Sequence, residues 1–79
     1  MTNEEISRSL WLATVETKLP FVRDAVGVVI EAIWASTRPE TVKWVTLLLR
    51  DMAFRADHNG EYDVAVILRR AAEALEDQL

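Results

Sequence analysis

The segment from Glu40 to Asp57 places apolar residues on two separate faces of one helix, and this feature constrains the fold most. At about 100° per residue, one broad stripe follows the i, i+3, i+4, i+7 spacing of a helix packed against a core. The stripe consists of Val42, Val45, Leu48, Leu49, Met52, Ala53 and Ala56. Leu47 and Phe54 are seven residues apart and form a second apolar patch on the far side, with Trp44 partway round.

The second apolar face has two interpretations, which the residues leave open. The helix either lies between two layers of its own domain or offers one face to another molecule. Small domains have few layers to spare, and exposed apolar patches mark interaction sites. Under the second interpretation the candidate interface residues are Trp44, Leu47 and Phe54, with Trp11 next, because large aromatic side chains are frequent interface anchors.

The pattern before this segment predicts two further helices. The first runs from about Asn3 to Lys18, since Thr2 and Glu5 have the spacing of a capping box. It has one stripe formed by Ile6, Leu10 and Ala13 and another, on roughly the opposite side, formed by Trp11, Leu12, Val15 and Leu19. Its Trp11 face is therefore either wedged between neighbouring helices or docked on a second chain.

The stretch after Pro20 is apolar over more than half of a helical circumference. We predict a helix from Phe21 to Ala35, central in its assembly. The alternative is a strand over Val26 to Trp34, because VGVVI is rich in β-branched residues. A lone strand in a helical chain would need an edge from another chain, so we favour the helix.

Two more helices complete the prediction. Thr37 and Glu40 again have capping-box spacing, and the helix that they open ends at DHNG, where Asn59 or Gly60 can take the left-handed conformation. The last helix spans about Glu61 to Asp77. Its apolar side is formed by Val64, Ile67, Leu68, Ala71, Leu75 and Leu79. The many alanines in these two helices favour a closely packed antiparallel hairpin joined by a short turn.

This hairpin resembles one tetratricopeptide repeat over about residues 46 to 75. The small and aromatic positions that carry the resemblance are Leu49, Ala53, Ala56, Gly60, Tyr62, Ala65 and Ala72. Arg69 stands where such repeats place a large apolar residue, and no second copy precedes it at the 34-residue period. We therefore interpret the region as a general helical hairpin.

Length and composition predict one all-α domain over residues 1–79, a compact bundle of about four helices with a C-terminal antiparallel hairpin. A chain this small is marginally stable alone. Cysteine is absent and histidine occurs once, which excludes disulfides and a structural zinc site. Because 51% of the residues are hydrophobic and three are tryptophan, we expect at least one tryptophan to be exposed, and a homodimer or higher oligomer.

Charge is concentrated in one part of the chain. Residues 1–56 carry equal numbers of acidic and basic side chains, so the whole formal net charge of −4 lies in residues 57–79. This is either a solvated acidic surface or a patch that meets a partner protein with a basic surface. Direct DNA binding by a small helical regulator is the alternative, but a pI of about 4.8 and the absence of a basic cluster argue against nucleic acid.

No residue pattern predicts catalysis, a cofactor or a bound metal. His58 is the only imidazole and lies in a predicted turn beside Asp57. In an EF-hand numbering from Asp57, Gly60 and Leu68 fall at positions 4 and 12, where the motif needs glycine at position 6 and glutamate at position 12. We therefore expect a protein that is not an enzyme.

The N-terminal residues lack a basic n-region and an apolar h-region, so a cytoplasmic location is the default expectation. The most apolar segment, Phe21 to Ser36, is too short and too often interrupted by charge to span a bilayer. Seven arginines against two lysines suggest a bacterial source. Together these features predict a small acidic interaction module, a regulatory adaptor or antagonist that binds and sequesters a partner protein.

Overall fold

Four helices make up nearly all of the part of the chain that the computed structural model describes, residues 1–36 and 38–78. They are α1 (Asn3–Glu16), α2 (Pro20–Ala35), α3 (Pro39–His58) and α4 (Tyr62–Glu76). Residues 1–36 and 38–78 contain no strand, and Val26 to Trp34 lies within α2, as predicted. The all-α fold with a C-terminal helical hairpin is confirmed.

The helices form a ring in which each packs against its two neighbours. α1 contacts α2, α2 contacts α3, α3 contacts α4, and α4 closes the ring on α1. Three-residue connections make successive helices antiparallel. The closure is antiparallel too, because Gln78 Nε2, after α4, donates to Asn3 Oδ1 in α1 at 3.3 Å. α1 and α3 therefore lie at opposite corners of the bundle, as do α2 and α4.

The core is one apolar cluster to which all four helices contribute. α3 contributes the apolar stripe predicted from Val42 to Ala56, in which Leu48 is half-buried and the other six residues are buried. From α1 and α2 the core takes Ile6, Leu10, Ala13, Val22, Val26, Val29 and Ile33. Ala53 and Ala56 of α3 and Ala65 and Ala72 of α4 are fully buried. Their small side chains let α3 and α4 approach closely, and these two helices share the most extensive contact in the ring.

The helix ends follow the predicted signals in part. The capping box of Thr2 and Glu5 is present, and Gly60 takes the left-handed conformation with φ 80°. α1 ends at Glu16, two residues before the predicted end, because Thr17 is already extended. α3 begins at Pro39 with Arg38 at its N-cap, where no side chain caps the helix. The predicted cap Thr37 and the predicted apolar residue Leu79 lie outside the described residues.

A polar clamp joins the turn between α1 and α2 to the start of α4. Thr17 is buried, and its hydroxyl donates to Glu61 Oε1 at 2.5 Å. The backbone N–H of Lys18 donates to Glu61 Oε2 at 2.8 Å. Arg23 Nη2 donates to the Thr17 carbonyl at 2.9 Å, so the same turn is held from α2 as well. The clamp fixes the closure of the ring at this end of the bundle.

We predict that the capping box makes Glu5 titrate at unusually low pH. The Thr2 backbone N–H donates to its carboxylate at 3.0 Å and, with the Thr2 side chain, holds the pKa of Glu5 below its usual range. The carboxylate therefore stabilises the capped helix above the usual glutamate pKa, and this contribution is lost as pH falls through the lowered value. Carbon-13 NMR titration should show the low midpoint, and Thr2→Ala should raise it. A midpoint in the usual range contradicts this reading.

We also predict that the clamp contributes measurably to stability. Glu61→Ala leaves the Thr17 hydroxyl proton and the Lys18 N–H without their acceptor. Urea unfolding should show a loss of about 1–3 kcal/mol, mainly the cost of leaving the buried Thr17 hydroxyl without its acceptor, since the exposed Lys18 N–H can bond to water instead. The control is Glu73→Ala, which removes an exposed carboxylate from α4, the helix that Glu61 directly precedes, and should change the free energy of unfolding by less than about 0.5 kcal/mol. Equal losses in the two variants would show that the clamp contributes nothing specific.

Candidate protein-binding surface

The side of α3 turned away from the core carries a line of large side chains exposed to solvent. We call it the α3 outer face: Trp44, Leu47, Asp51, Phe54 and His58, which are spaced alternately by three and four residues. The apolar side chains Trp44, Leu47 and Phe54 are 50, 70 and 62% exposed. No helix within residues 1–36 and 38–78 covers this face, so α3 is not wedged between two layers of the bundle.

Neighbouring side chains brace the C-terminal half of the α3 outer face, from Asp51 to His58. The rings of Phe54 and His58 stack with their centroids 5.4 Å apart and an interplanar angle of 26°. Arg55 Nε lies 3.2 Å from Asp51 Oδ2, and the guanidinium carbon of Arg55 lies 5.3 Å from the centre of the Phe21 ring on α2. These contacts restrict the rotamers of Asp51, Phe54 and His58, which lowers the conformational entropy lost at these positions when a partner binds.

Trp44 extends the α3 outer face towards α2. Its indole lines an open groove together with Ala32 of α2 and with Glu40 and Thr41 of α3. At the end of the same groove, Thr41 Oγ1 is 3.2 Å from Ser36 Oγ. A partner that covers Leu47 and Phe54 would therefore also meet this open, mostly apolar groove.

Trp11, the fourth predicted interface residue, lies on a different side of the molecule. It belongs to the α1 outer face, which we define as Glu4, Arg8, Trp11, Leu12 and Val15. Trp11 and Leu12 are about half exposed and Val15 is exposed more fully. Because α1 and α3 occupy opposite corners, the structure brings Trp44, Leu47 and Phe54 together but keeps Trp11 apart from them.

Trp34 is an exposed aromatic residue that the sequence pattern does not single out. All three tryptophans are half exposed or more, and Trp34 reaches 59%. Its Nε1 donates to Ser7 Oγ in α1 at 3.0 Å, which satisfies the indole donor and holds the ring against the groove between α1 and α2. Apolar residues cover more than half of the circumference of α2, so periodicity alone does not show which of them face the core.

The charges around α3 are largely engaged in ion pairs. Arg50 Nη2 lies 2.5 Å from Glu76 Oε1 in α4, and Arg69 pairs with Asp57. Two of the six acids in residues 57–79 are thus used within the hairpin, and Glu61 belongs to the clamp. Asp63, Glu73 and Asp77 remain on the exposed surface. The acidic patch is smaller than the net charge alone suggests.

Other kinds of site have little geometric support. Within residues 1–36 and 38–78, no three His, Asp or Glu side chains are grouped so that they could hold a metal ion. His58 ends α3 and its ring stacks on Phe54. None of the helices described above is long and apolar enough to cross a membrane.

Comparison with protein-family models, with curated proteins and with solved structures finds no match to this chain. The resemblance of residues 46 to 75 to a tetratricopeptide repeat therefore rests on the spacing of the hairpin residues alone.

Proposed function

We propose that this protein is an interaction module whose binding surface is the α3 outer face. The observation that carries the proposal is the exposure of Trp44, Leu47 and Phe54 on one side of a helix whose other side forms the core. Burying such a side chain completely gains about 1.5–3 kcal/mol relative to full exposure. Half or more of that gain is still available at each of the three positions when a partner covers them.

In this proposal the module acts as a regulatory adaptor or antagonist in the cytoplasm, and sequesters a partner through the α3 outer face. The exposed acids Asp63, Glu73 and Asp77 lie on the helix next to α3 or just after it. A basic surface on the partner would be attracted to them during encounter. The acids therefore increase the rate of association, and the apolar side chains supply most of the affinity.

The alternative, a DNA-binding or transcription-associated regulator, has weaker support. Of the three basic side chains on the exposed side of α3, Arg50 pairs with Glu76 and Arg55 with Asp51. Lys43 is the third. Non-specific affinity for nucleic acid depends on basic groups that are free to neutralise phosphates.

We predict that Phe54→Ala weakens binding without unfolding the chain. Truncating a central interface anchor costs about 1–3 kcal/mol, so the dissociation constant should rise roughly 5- to 150-fold. The measurement compares wild-type and variant chains, immobilised as bait in extract of the source cell, by quantitative mass spectrometry of what each retains. A partner specific to the wild-type chain should be depleted from the Phe54→Ala bait.

The matched control for this experiment is Val66→Ala, which truncates a partly exposed apolar residue on the outer side of α4. It should retain the same partner as the wild-type chain. Equal depletion from both variant baits would place binding elsewhere. Loss of helical circular dichroism in Phe54→Ala would show that Phe54 belongs to the core, which contradicts the proposal.

A further inference from the structure

The groove near the start of α3 combines an aromatic ring, a carboxylate and an apolar wall. It has a volume of about 340 Å³ and is lined by Ala32 of α2 and by Glu40, Thr41 and Trp44 of α3. Glu40 and Trp44 are four residues apart, which makes their side chains neighbours on the same side of the helix. The Trp44 side chain is 50% exposed. The groove therefore presents a negative charge beside the open face of an indole.

No cation of the chain itself occupies these two groups within residues 1–36 and 38–78. Glu40 takes part in none of the ion pairs of this part of the chain. These pairs are Arg8–Glu4, Arg50–Glu76, Arg55–Asp51 and Arg69–Asp57. The cation–π contact found there joins Arg55 to Phe21, and none involves Trp44. Arg38 and Lys43, the basic residues nearest to Glu40 in the sequence, do not line the groove.

A guanidinium group matches both features of the groove. Its planar cation stacks on aromatic faces, and among these tryptophan attracts a cation most strongly. Its N–H groups form a fork that can donate two hydrogen bonds to one carboxylate. An ammonium group is a more strongly hydrated point charge, so it loses more hydration on entering the same site. The aliphatic stem of an arginine can also lie along apolar surface such as that of Ala32.

We propose that this groove binds an arginine side chain of the partner protein, stacked on Trp44 and paired with Glu40. The inference rests on the proposed function, because Trp44 belongs to the α3 outer face and the arginine is part of the surface that covers this face. It states where the positive charge of the partner lies. The partner would cover Leu47 and Phe54 with apolar side chains and place a guanidinium at the end of α3 that carries Trp44.

The test uses small probes and does not require the partner. N-acetyl-argininamide is titrated into the full chain to about 100 mM at constant ionic strength, because one exposed cation–π contact and one ion pair give weak affinity. The indole N–H signals are followed by proton–nitrogen NMR. Trp11 and Trp34 serve as internal references, since neither lines the groove. N-acetyl-citrullinamide is the neutral control of the same shape, and N-acetyl-lysinamide carries the same charge without the planar fork.

We expect the arginine probe to shift the Trp44 signal along a saturating curve and to leave the signals of Trp11 and Trp34 nearly unchanged. The citrulline probe should cause less than about a third of this shift, because it lacks the charge. Glu40→Gln should weaken binding of the arginine probe about 1.5- to 5-fold, the range of an exposed ion pair. The matched control is Glu16→Gln, the same change of charge at the end of α1, which should leave binding unchanged. Glu40 and Glu16 are both exposed, so both variants should keep the wild-type circular dichroism.

If Glu40→Gln loses helicity, Trp44→Leu replaces it, with the backbone N–H of Thr41 as the reporter. This variant removes the aromatic face and should weaken binding of the arginine probe about 2- to 5-fold, the range of an exposed cation–π contact.

Four results would overturn the inference. A Trp44 signal that shifts no more than those of Trp11 and Trp34 means that the groove does not bind arginine, and leaves the proposed function to the retention experiment with Phe54→Ala. Equal shifts from the arginine and citrulline probes, or unchanged binding to Glu40→Gln, would show that charge does not select the ligand. Equally tight binding of the lysine probe would contradict the choice of a guanidinium. Conversely, saturable arginine binding together with a Phe54→Ala bait that still retains the partner supports the groove and contradicts the proposed function.

Discussion

The bundle depends on the buried apolar side of α3. This helix packs against both α2 and α4, and its contact with α4 is the most extensive between any two helices of the ring. Seven of its residues are buried: Val42, Val45, Thr46, Leu49, Met52, Ala53 and Ala56. A stripe of that width occupies about half of the helix surface and leaves the other half facing solvent. Within residues 1–36 and 38–78 no further layer covers that other half, so Trp44, Leu47 and Phe54 are exposed.

The polar clamp at Glu61 complements this apolar packing. Hydrophobic contacts hold the four helices together without fixing their exact alignment, whereas the bonds from Thr17 and Lys18 to the Glu61 carboxylate are directional. These bonds connect the turn between α1 and α2 to the turn between α3 and α4, and so set how α4 lies against α1. The two outer faces, on α1 and α3, owe their positions at opposite corners to this closed ring.

Much of this arrangement follows from periodicity and from helix-end signals. The stripe of α3, the capping box of Thr2 and the left-handed Gly60 are each visible in the sequence, because each depends on residues close together in the chain. The Glu61 clamp cannot be predicted from the sequence, because it joins Thr17 to a residue 44 positions further along the chain. In the sequence, Glu61 looks like any acidic residue at the start of a helix. The exposure of Trp34 is not predicted either, because apolar residues cover more than half of the circumference of α2 and the neighbouring helices decide which of them are buried.

The central claim is that the buried side of α3 stabilises the fold, whereas its exposed side is free to bind a partner. Two leucines of α3, one on each side, allow a direct test. Leu49 is fully buried and Leu47, two residues earlier, is 70% exposed. In urea unfolding of dilute protein, Leu49→Ala should lower the free energy of unfolding by about 2–5 kcal/mol. Leu47→Ala should change it by less than about 0.5 kcal/mol. Comparable losses in the two variants would mean that the α3 outer face is part of the core, which contradicts the account.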